Sequence, residues 1–149
     1  EKIWYLNNSG QLSSYDPIEK SFYSTPKVDQ IFTTLYFNKE NEIWLTSESN
    51  KIIKFDIQHN EFKILDFENN FNYRINNTSS INVSNQYLIL GSYNQGVLLI
   101  NRESLQTQIF NEENLLSNNF IADIVKDHSD NFWISTNKGI SVFQKPAVN

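Results

Sequence analysis

The sequence contains no cysteine and no methionine, and only four glycines and three prolines in 149 residues. Without cysteine there are no disulfides and no thiolate metal sites, although this places the protein in no particular compartment, since many exported proteins also lack cysteine. No Gly/Ser-rich stretch or charge block supplies a linker, so the chain reads as one continuous structural unit. No apolar run is long enough for a signal sequence or a membrane-spanning helix. The chain opens on Glu1-Lys2-Ile3-Trp4, already inside a strand-like pattern, and so reads as a segment of something longer. Missing targeting signals therefore carry no information about location. Basic residues are also scarce: 12 Lys and Arg stand against 17 Asp and Glu, a net charge of −5, and they are scattered singly. A phosphate backbone or an acidic membrane surface would be repelled on average, which argues against nucleic acid as a partner.

What is present points to a packed core. Hydrophobic residues make up 39% of the chain and aromatic residues 14%, far above what a disordered segment carries. Asparagine recurs in doublets (Asn7-Asn8, Asn69-Asn70, Asn76-Asn77, Asn118-Asn119) where turns are expected, because it tolerates positive φ and hydrogen-bonds its own backbone.

Four apolar segments superimpose: Ile3-Trp4-Tyr5-Leu6, Ile43-Trp44-Leu45-Thr46, Leu88-Ile89-Leu90-Gly91 and Phe132-Trp133-Ile134-Ser135. Their second positions, 4, 44, 89 and 133, are spaced by 40, 45 and 44 residues. Periods near 40–45 residues characterise propeller blades of four strands. After each anchor comes a polar turn closed by Gly or Asn, then a second apolar strand (Leu12 to Tyr15, Ile52 to Phe55, Val97 to Ile100, Ile140 to Phe143). A more alternating strand follows in three repeats, at Ser21 to Tyr23, Glu61 to Leu65 and Thr107 to Phe110, the pattern of an outer strand with one wet face. A further strand precedes three of the anchors, at Ile31 to Phe37, Ser80 to Val83 and Phe120 to Val125. Anchor strands apolar on consecutive residues should be buried on both faces, with Trp4, Trp44, Ile89 and Trp133 packed between sheets. No sustained helical period exists, and residues 111–119 hold at most a helical turn.

The expected fold is thus all-β: β-propeller blades of four antiparallel strands in a partial ring of about four blades. The blades run roughly over residues 1–30, 31–79, 80–119 and 120–149. The first lacks its innermost strand and the last its outermost, giving 14 strands. A partial ring exposes apolar blade faces, so self-association is expected unless the remainder of the propeller covers them.

The stretch from Asn114-Leu115-Leu116-Ser117-Asn118-Asn119-Phe120 to Asp127, followed by Trp133-Ile134-Ser135-Thr136-Asn137-Lys138-Gly139-Ile140, resembles the two-component regulator propeller repeat. Ser135 stands where that family usually has Gly. Earlier repeats match more loosely: Trp44-Leu45-Thr46-Ser47 keeps the Trp, and Ile89-Leu90-Gly91-Ser92 keeps the Gly. The whole chain fits the repeat, but only about residues 114–143 fit it specifically. The resemblance implies a periplasmic or otherwise extracytoplasmic sensor segment of a hybrid two-component histidine kinase, with an oligosaccharide as candidate ligand. It also implies no catalytic role for this segment and no cofactor.

The residues agree with a non-catalytic reading. His59 and His128 are the only imidazoles, each alone in a polar turn, which makes a metal site improbable. Ser129-Asp130-Asn131-Phe132-Trp133 lacks the spacing and the glycine of the sialidase Asp box, and no nucleophile elbow or phosphate loop occurs. Loops joining the second to the third strand, and each outer strand to the next blade, meet on one face of a propeller. There the sequence carries Glu48, Asn50, Tyr93, Asn94, Gln95, Asn137 and Lys138, with a long insertion containing Asn72, Tyr73 and Arg74. Tyr73, Arg74, Tyr93, Asn94, Asn137 and Lys138 are the candidate ligand-binding set: tyrosines to stack on a sugar face, Arg74 and Lys138 to meet carboxylate or sulfate. The alternative is a non-catalytic protein-interaction scaffold. A pocket with convergent polar and aromatic groups would favour sensing, and a flat apolar patch with a polar rim would favour the scaffold.

Overall fold

The computed structural model describes residues 1–38, 41–65 and 75–144. Fourteen strands and no helix occur among them: β1 (Ile3–Leu6), β2 (Leu12–Asp16), β3 (Ser21–Ser24), β4 (Phe32–Asn38), β5 (Glu42–Ser47), β6 (Ile52–Asp56), β7 (Glu61–Leu65), β8 (Thr78–Val83), β9 (Tyr87–Ser92), β10 (Gly96–Asn101), β11 (Thr107–Phe110), β12 (Ile121–Lys126), β13 (Phe132–Thr136) and β14 (Gly139–Phe143). They form four antiparallel meanders, β1-β2-β3, β4-β5-β6-β7, β8-β9-β10-β11 and β12-β13-β14. Among the described residues no strand of one sheet pairs with a strand of another. The chain divides into two compact units, Glu1–Asn70 and Phe71–Asn149, each holding two sheets.

The hairpins close as the sequence requires. The turns between second and third blade strands contain Gly10, Asn50, Gly96 and Gly139, all at positive φ (65°, 58°, 84° and 121°). At Gly96 a side chain is excluded outright, because a Cβ would lie 2.2 Å from the Phe110 carbonyl oxygen. The segment after β11 makes a single turn, with the amides of Asn114, Leu115 and Leu116 all donating to the Asn111 carbonyl. It goes no further.

Each unit buries one apolar layer between its two sheets. In the first, Leu12, Phe32, Ile43, Leu45, Ile53 and Phe55 pack together, with Trp4 and Leu6 of the first sheet laid against them. Trp4 meets Phe55 edge-on at 5.6 Å. In the second unit Ile89, Val97, Leu99, Leu116, Ile121, Ile124, Phe132 and Ile134 form the layer. Each fully buried side chain of this size contributes roughly 1.5–3 kcal/mol. Between these sheets the buried Asn82 amide donates to the Ile124 carbonyl at 3.3 Å, which accounts for a polar residue at that depth.

The innermost strands share a feature that periodicity does not reveal. β4, β8 and β12 each carry a register shift immediately after their first paired residue, between Phe32 and Thr34, Thr78 and Ser80, and Ile121 and Asp123. A bulge at one fixed position bends and twists the strand where it enters the sheet.

One expectation needs correction. Trp4, Trp44, Ile89 and Trp133 do hold equivalent positions, paired on the third-strand side with Ser14, Lys54, Leu99 and Val142. They are not all packed between sheets. Trp44 and Ile89 are buried, Trp4 is partly so, and Trp133 is 46% exposed. Within each unit this position on the first sheet faces the sheet that follows in the chain: Trp4 meets β4–β7, and Ile89 meets β12–β14. On β12–β14 the same position has no following sheet among the described residues. Trp133 therefore lies open beside Val125, Ile140 and Val142, all exposed. β5 and β9 carry runs of consecutive buried residues, whereas β1 and β13 do not.

Trp133 is held by its hairpin instead. Its indole N–H donates to Asp127 at 2.9 Å, and the same carboxylate accepts from the side chain and backbone of Asn131 and from the Ser129 amide. These donors, the Trp133 indole first, hold the Asp127 carboxyl well below the usual carboxylate range. In the second sheet acid and amide have exchanged places: Trp44 donates to Glu42 at 3.2 Å, and Asn38 donates to that carboxylate. The third sheet, with Ile89 for Trp, has Ser84 closing the turn through the Tyr87 amide. In these three sheets tryptophan and turn acid are present together or absent together.

Candidate functional site

In the second unit the β9–β10 and β13–β14 turns and the β11–β12 connection lie at one end of the strands. The β9–β10 turn is anchored by Ser92, whose hydroxyl donates to the Asn76 carbonyl at 2.7 Å and accepts from the amides of Asn94 and Gln95. The Asn76 amide donates to the Gln95 side-chain oxygen, and the Tyr93 amide to the Asn77 carbonyl. These bonds leave the Tyr93 ring half exposed, with its centroid 5.3 Å from that of Phe120.

The β11–β12 connection is fastened by Asn119, whose carbonyl accepts from the Gly96 amide and whose side-chain oxygen accepts from the Glu112 amide. Glu112 is the electrostatic centre of this end. Its Oε1 accepts from the Asn118 amide at 2.8 Å and from the Lys138 ammonium at 3.3 Å. The Asn118 bond first and Lys138 second hold its carboxyl below its ordinary value. Lys138 is positioned by its own turn, its amide donating to Thr136 Oγ1, which in turn lies 3.0 Å from Ser117 Oγ.

Of the residues expected to bind ligand, Tyr93, Asn94, Asn137 and Lys138 belong to this end. Asn94 is partly committed, since its backbone amide donates to Ser92 Oγ and its side-chain oxygen lies 3.0 Å from that hydroxyl. Asn137 is exposed. Tyr73 and Arg74, with Asn72, lie outside the described residues. Glu48 and Asn50 belong to the first unit, in the β5–β6 turn, where the Glu48 amide donates to the Ile31 carbonyl and the Asn50 amide to the Ser47 carbonyl. Sequence reasoning did not assign Glu112, Asn118 and Phe120 to the site. The Asn118-Asn119 doublet and the Glu112-Glu113 pair were visible, but only folding brings Lys138 across 26 residues onto Glu112. Among the described residues no group of three or more metal-ligating side chains forms. The arrangement offers a half-exposed aromatic face, amides, and a cation whose charge is partly neutralised by Glu112. Such a surface can bind a polyhydroxylated or weakly anionic ligand.

Comparison with known proteins finds one partial family match and several structures of similar fold. Residues 114–138 match the family described as two component regulator propeller. The extracellular domain of BT4673 from B. thetaiotaomicron, assigned to a hybrid two component system, superimposes with a TM-score of 0.72 at 19% identity, over 99% of this chain and 20% of that one. The extracellular domain of BT3049 from the same organism, also assigned to a hybrid two component system, gives 0.61 at 20% identity, over 95% of this chain and 18% of that one. The computationally designed protein Ika4 gives 0.67 at 10% identity, over 96% of this chain and 84% of that one. No curated protein matches the sequence. This chain thus spans about a fifth of the two extracellular domains. At these identities the likeness establishes the fold: the four sheets are β-propeller blades, two with four strands and two with three.

Proposed function

We propose that this chain is a ligand-sensing blade segment from the extracytoplasmic region of a hybrid two-component sensor, with an oligosaccharide as the ligand. The observation that carries the reading is where the family match falls. Residues 114–138 run through Asn118, Phe120 and Lys138, the groups that meet Glu112 and Tyr93 at one end of the second unit. Extracytoplasmic placement is supported by the two solved extracellular domains of the same fold. Tyr93 would stack on a pyranose face, while Asn118, Asn137 and Lys138 would bind its hydroxyls or an acidic substituent. Tyr73 and Arg74 belong to the same proposal.

The test uses the intact receptor and its inducing saccharide, with Tyr93→Ala, Lys138→Ala and the pair Tyr73→Ala with Arg74→Ala. Loss of one well-packed contact should weaken binding about tenfold, or 1.4 kcal/mol. Unchanged affinity and signalling in all three, with the β-sheet circular dichroism retained, would show that this face is not the site.

The open strip of Val125, Trp133, Ile140 and Val142 supports a second expectation about partners. Further blades of a longer protein would cover it, and the chain on its own would self-associate through it. Sedimentation that finds a compact monomer at high concentration would overturn this.

A further inference from the structure

The opposite end of the second unit carries a groove that the sensing face does not use. It opens where the β8–β9 and β12–β13 turns approach one another, and it continues along β10 and β11. Its deeper part is a cavity of about 160 Å³ and its shallower continuation one of about 290 Å³, sharing Tyr87, Leu99 and Gln108. Each alone is smaller than the usual ligand pocket of roughly 300–1,000 Å³, which suits a ligand of one or two rings lying along both. The floor is apolar: Leu99, Phe132 and Phe143, beside the partly buried ring of Tyr87.

The rim is polar and almost uncharged. Gln86, Gln108 and Gln144 line the deep part, and Gln106 the continuation. No described group hydrogen-bonds to the Tyr87 hydroxyl or to the side-chain amides of Gln86, Gln106 and Gln108. Among the described residues Asp130 is the one acidic or basic side chain on the deep lining, and its Oδ1 accepts from Lys126 at 2.7 Å. The neighbouring guanidinium of Arg102 is spent on the turn itself, donating to the Ser84 carbonyl at 2.9 Å, while the Arg102 amide donates to the Gln86 carbonyl. Those two bonds fasten the β8–β9 turn to the β10–β11 turn, so the wall exists before any ligand arrives.

We infer that this groove is a second binding site, for one or two rings of a neutral saccharide. The aromatic and aliphatic floor suits the C–H face of a pyranose. The glutamine amides, which donate and accept at once, suit its hydroxyls. Among the described residues no uncommitted cation lines the groove, which selects against uronates and sulfated sugars, since a buried anion without a partner is strongly disfavoured. This proposal stands apart from the sensing reading, because it concerns the other end of the strands.

Maltose and cellobiose serve as neutral probes and glucuronic acid as an anionic one, followed by saturation-transfer NMR and calorimetry on the full chain. Gln108→Ala removes an exposed amide, and Tyr87→Phe removes a hydroxyl while keeping the packed ring. Each should weaken a neutral disaccharide about fivefold, the equivalent of one net hydrogen bond, whereas Gln58→Ala, at an exposed residue of the first unit, should leave that binding unchanged. Failure of both disaccharides to bind would overturn the inference, as would binding indifferent to Gln108→Ala and Tyr87→Phe. Binding abolished by Tyr93→Ala alone would overturn it while leaving the sensing face standing. Glucuronic acid bound as tightly as the disaccharides, with the same sensitivity to Gln108→Ala, would refute the neutral ligand class.

Discussion

Gly91 lies in β9 between Val97 of β10 and Ser80 of β8, where the next sheet comes closest. A Cβ at this position would lie 2.6 Å from Cγ2 of Ile121, 3.1 Å from its Cβ and 2.9 Å from the Ser80 hydroxyl. Ile121 is fully buried and opens β12 at its bulge, where it pairs with Thr136 of β13. The equivalent residues of β5 and β13 are Thr46 and Ser135, which shows that the blade itself does not require glycine. The approach of Ile121 does. In Gly91→Ala two effects oppose each other. Restricting the unfolded chain stabilises by about 0.4–1 kcal/mol, while overpacking a tight core costs about 1–3 kcal/mol. A net loss of about 1–2 kcal/mol follows, read as a fall in the urea midpoint of roughly 0.5–1 M at an ordinary denaturant slope. Ile121→Ala alone should cost about 2–5 kcal/mol by leaving a cavity. In the double variant the new methyl enters that cavity, so the two losses should fall short of additivity by about 1 kcal/mol or more. A neutral or stabilised Gly91→Ala, or losses additive to within about 0.5 kcal/mol, would refute the contact as the reason for glycine.

Three further outcomes follow from the electrostatics. His59 Nδ1 lies 2.8 Å from Asp56, which raises the imidazole pKa and lowers the carboxyl pKa. The raised histidine contributes stability below its unfolded pKa and loses it as pH rises through the folded one; the lowered Asp56 contributes above its unfolded value and loses it as pH falls. The β6–β7 turn is therefore best held between the ordinary carboxylate and imidazole ranges, and an NMR titration should show Asp56→Asn returning His59 downward. At Glu112, Asn118→Ala should raise the carboxyl pKa more than Lys138→Ala does, because the Asn118 bond is the larger cause; carboxyl 13C shifts would check the order. Asp127→Asn should speed hydrogen exchange at the Trp133 indole N–H, since that bond loses its charged acceptor; unchanged exchange would mean that the carboxylate does not hold the ring.

The strands were legible from the chain alone because their causes are local. Apolar pairs such as Trp44-Leu45 and Leu88-Ile89, turns closed by Asn50 or Gly96, and a period near 44 residues are short-range facts, and they placed all fourteen strands with small differences at the ends. The same short range explains the error at Trp133. Its sequence neighbourhood matches that of Trp44, yet Trp44 is buried and Trp133 is exposed. The bulges of β4, β8 and β12 were invisible for a related reason, since a bulge is a property of two paired strands and not of one. The binding end divides in the same way. Tyr93, Asn94, Asn137 and Lys138 were named from their turns, whereas Glu112, Asn118 and Phe120 join them through contacts made by folding. The groove beneath Tyr87 needed tertiary structure entirely. Its floor comes from strands in two sheets and its rim from three turns, and no single stretch of sequence carries the signal of a surface that exists only once those sheets pack.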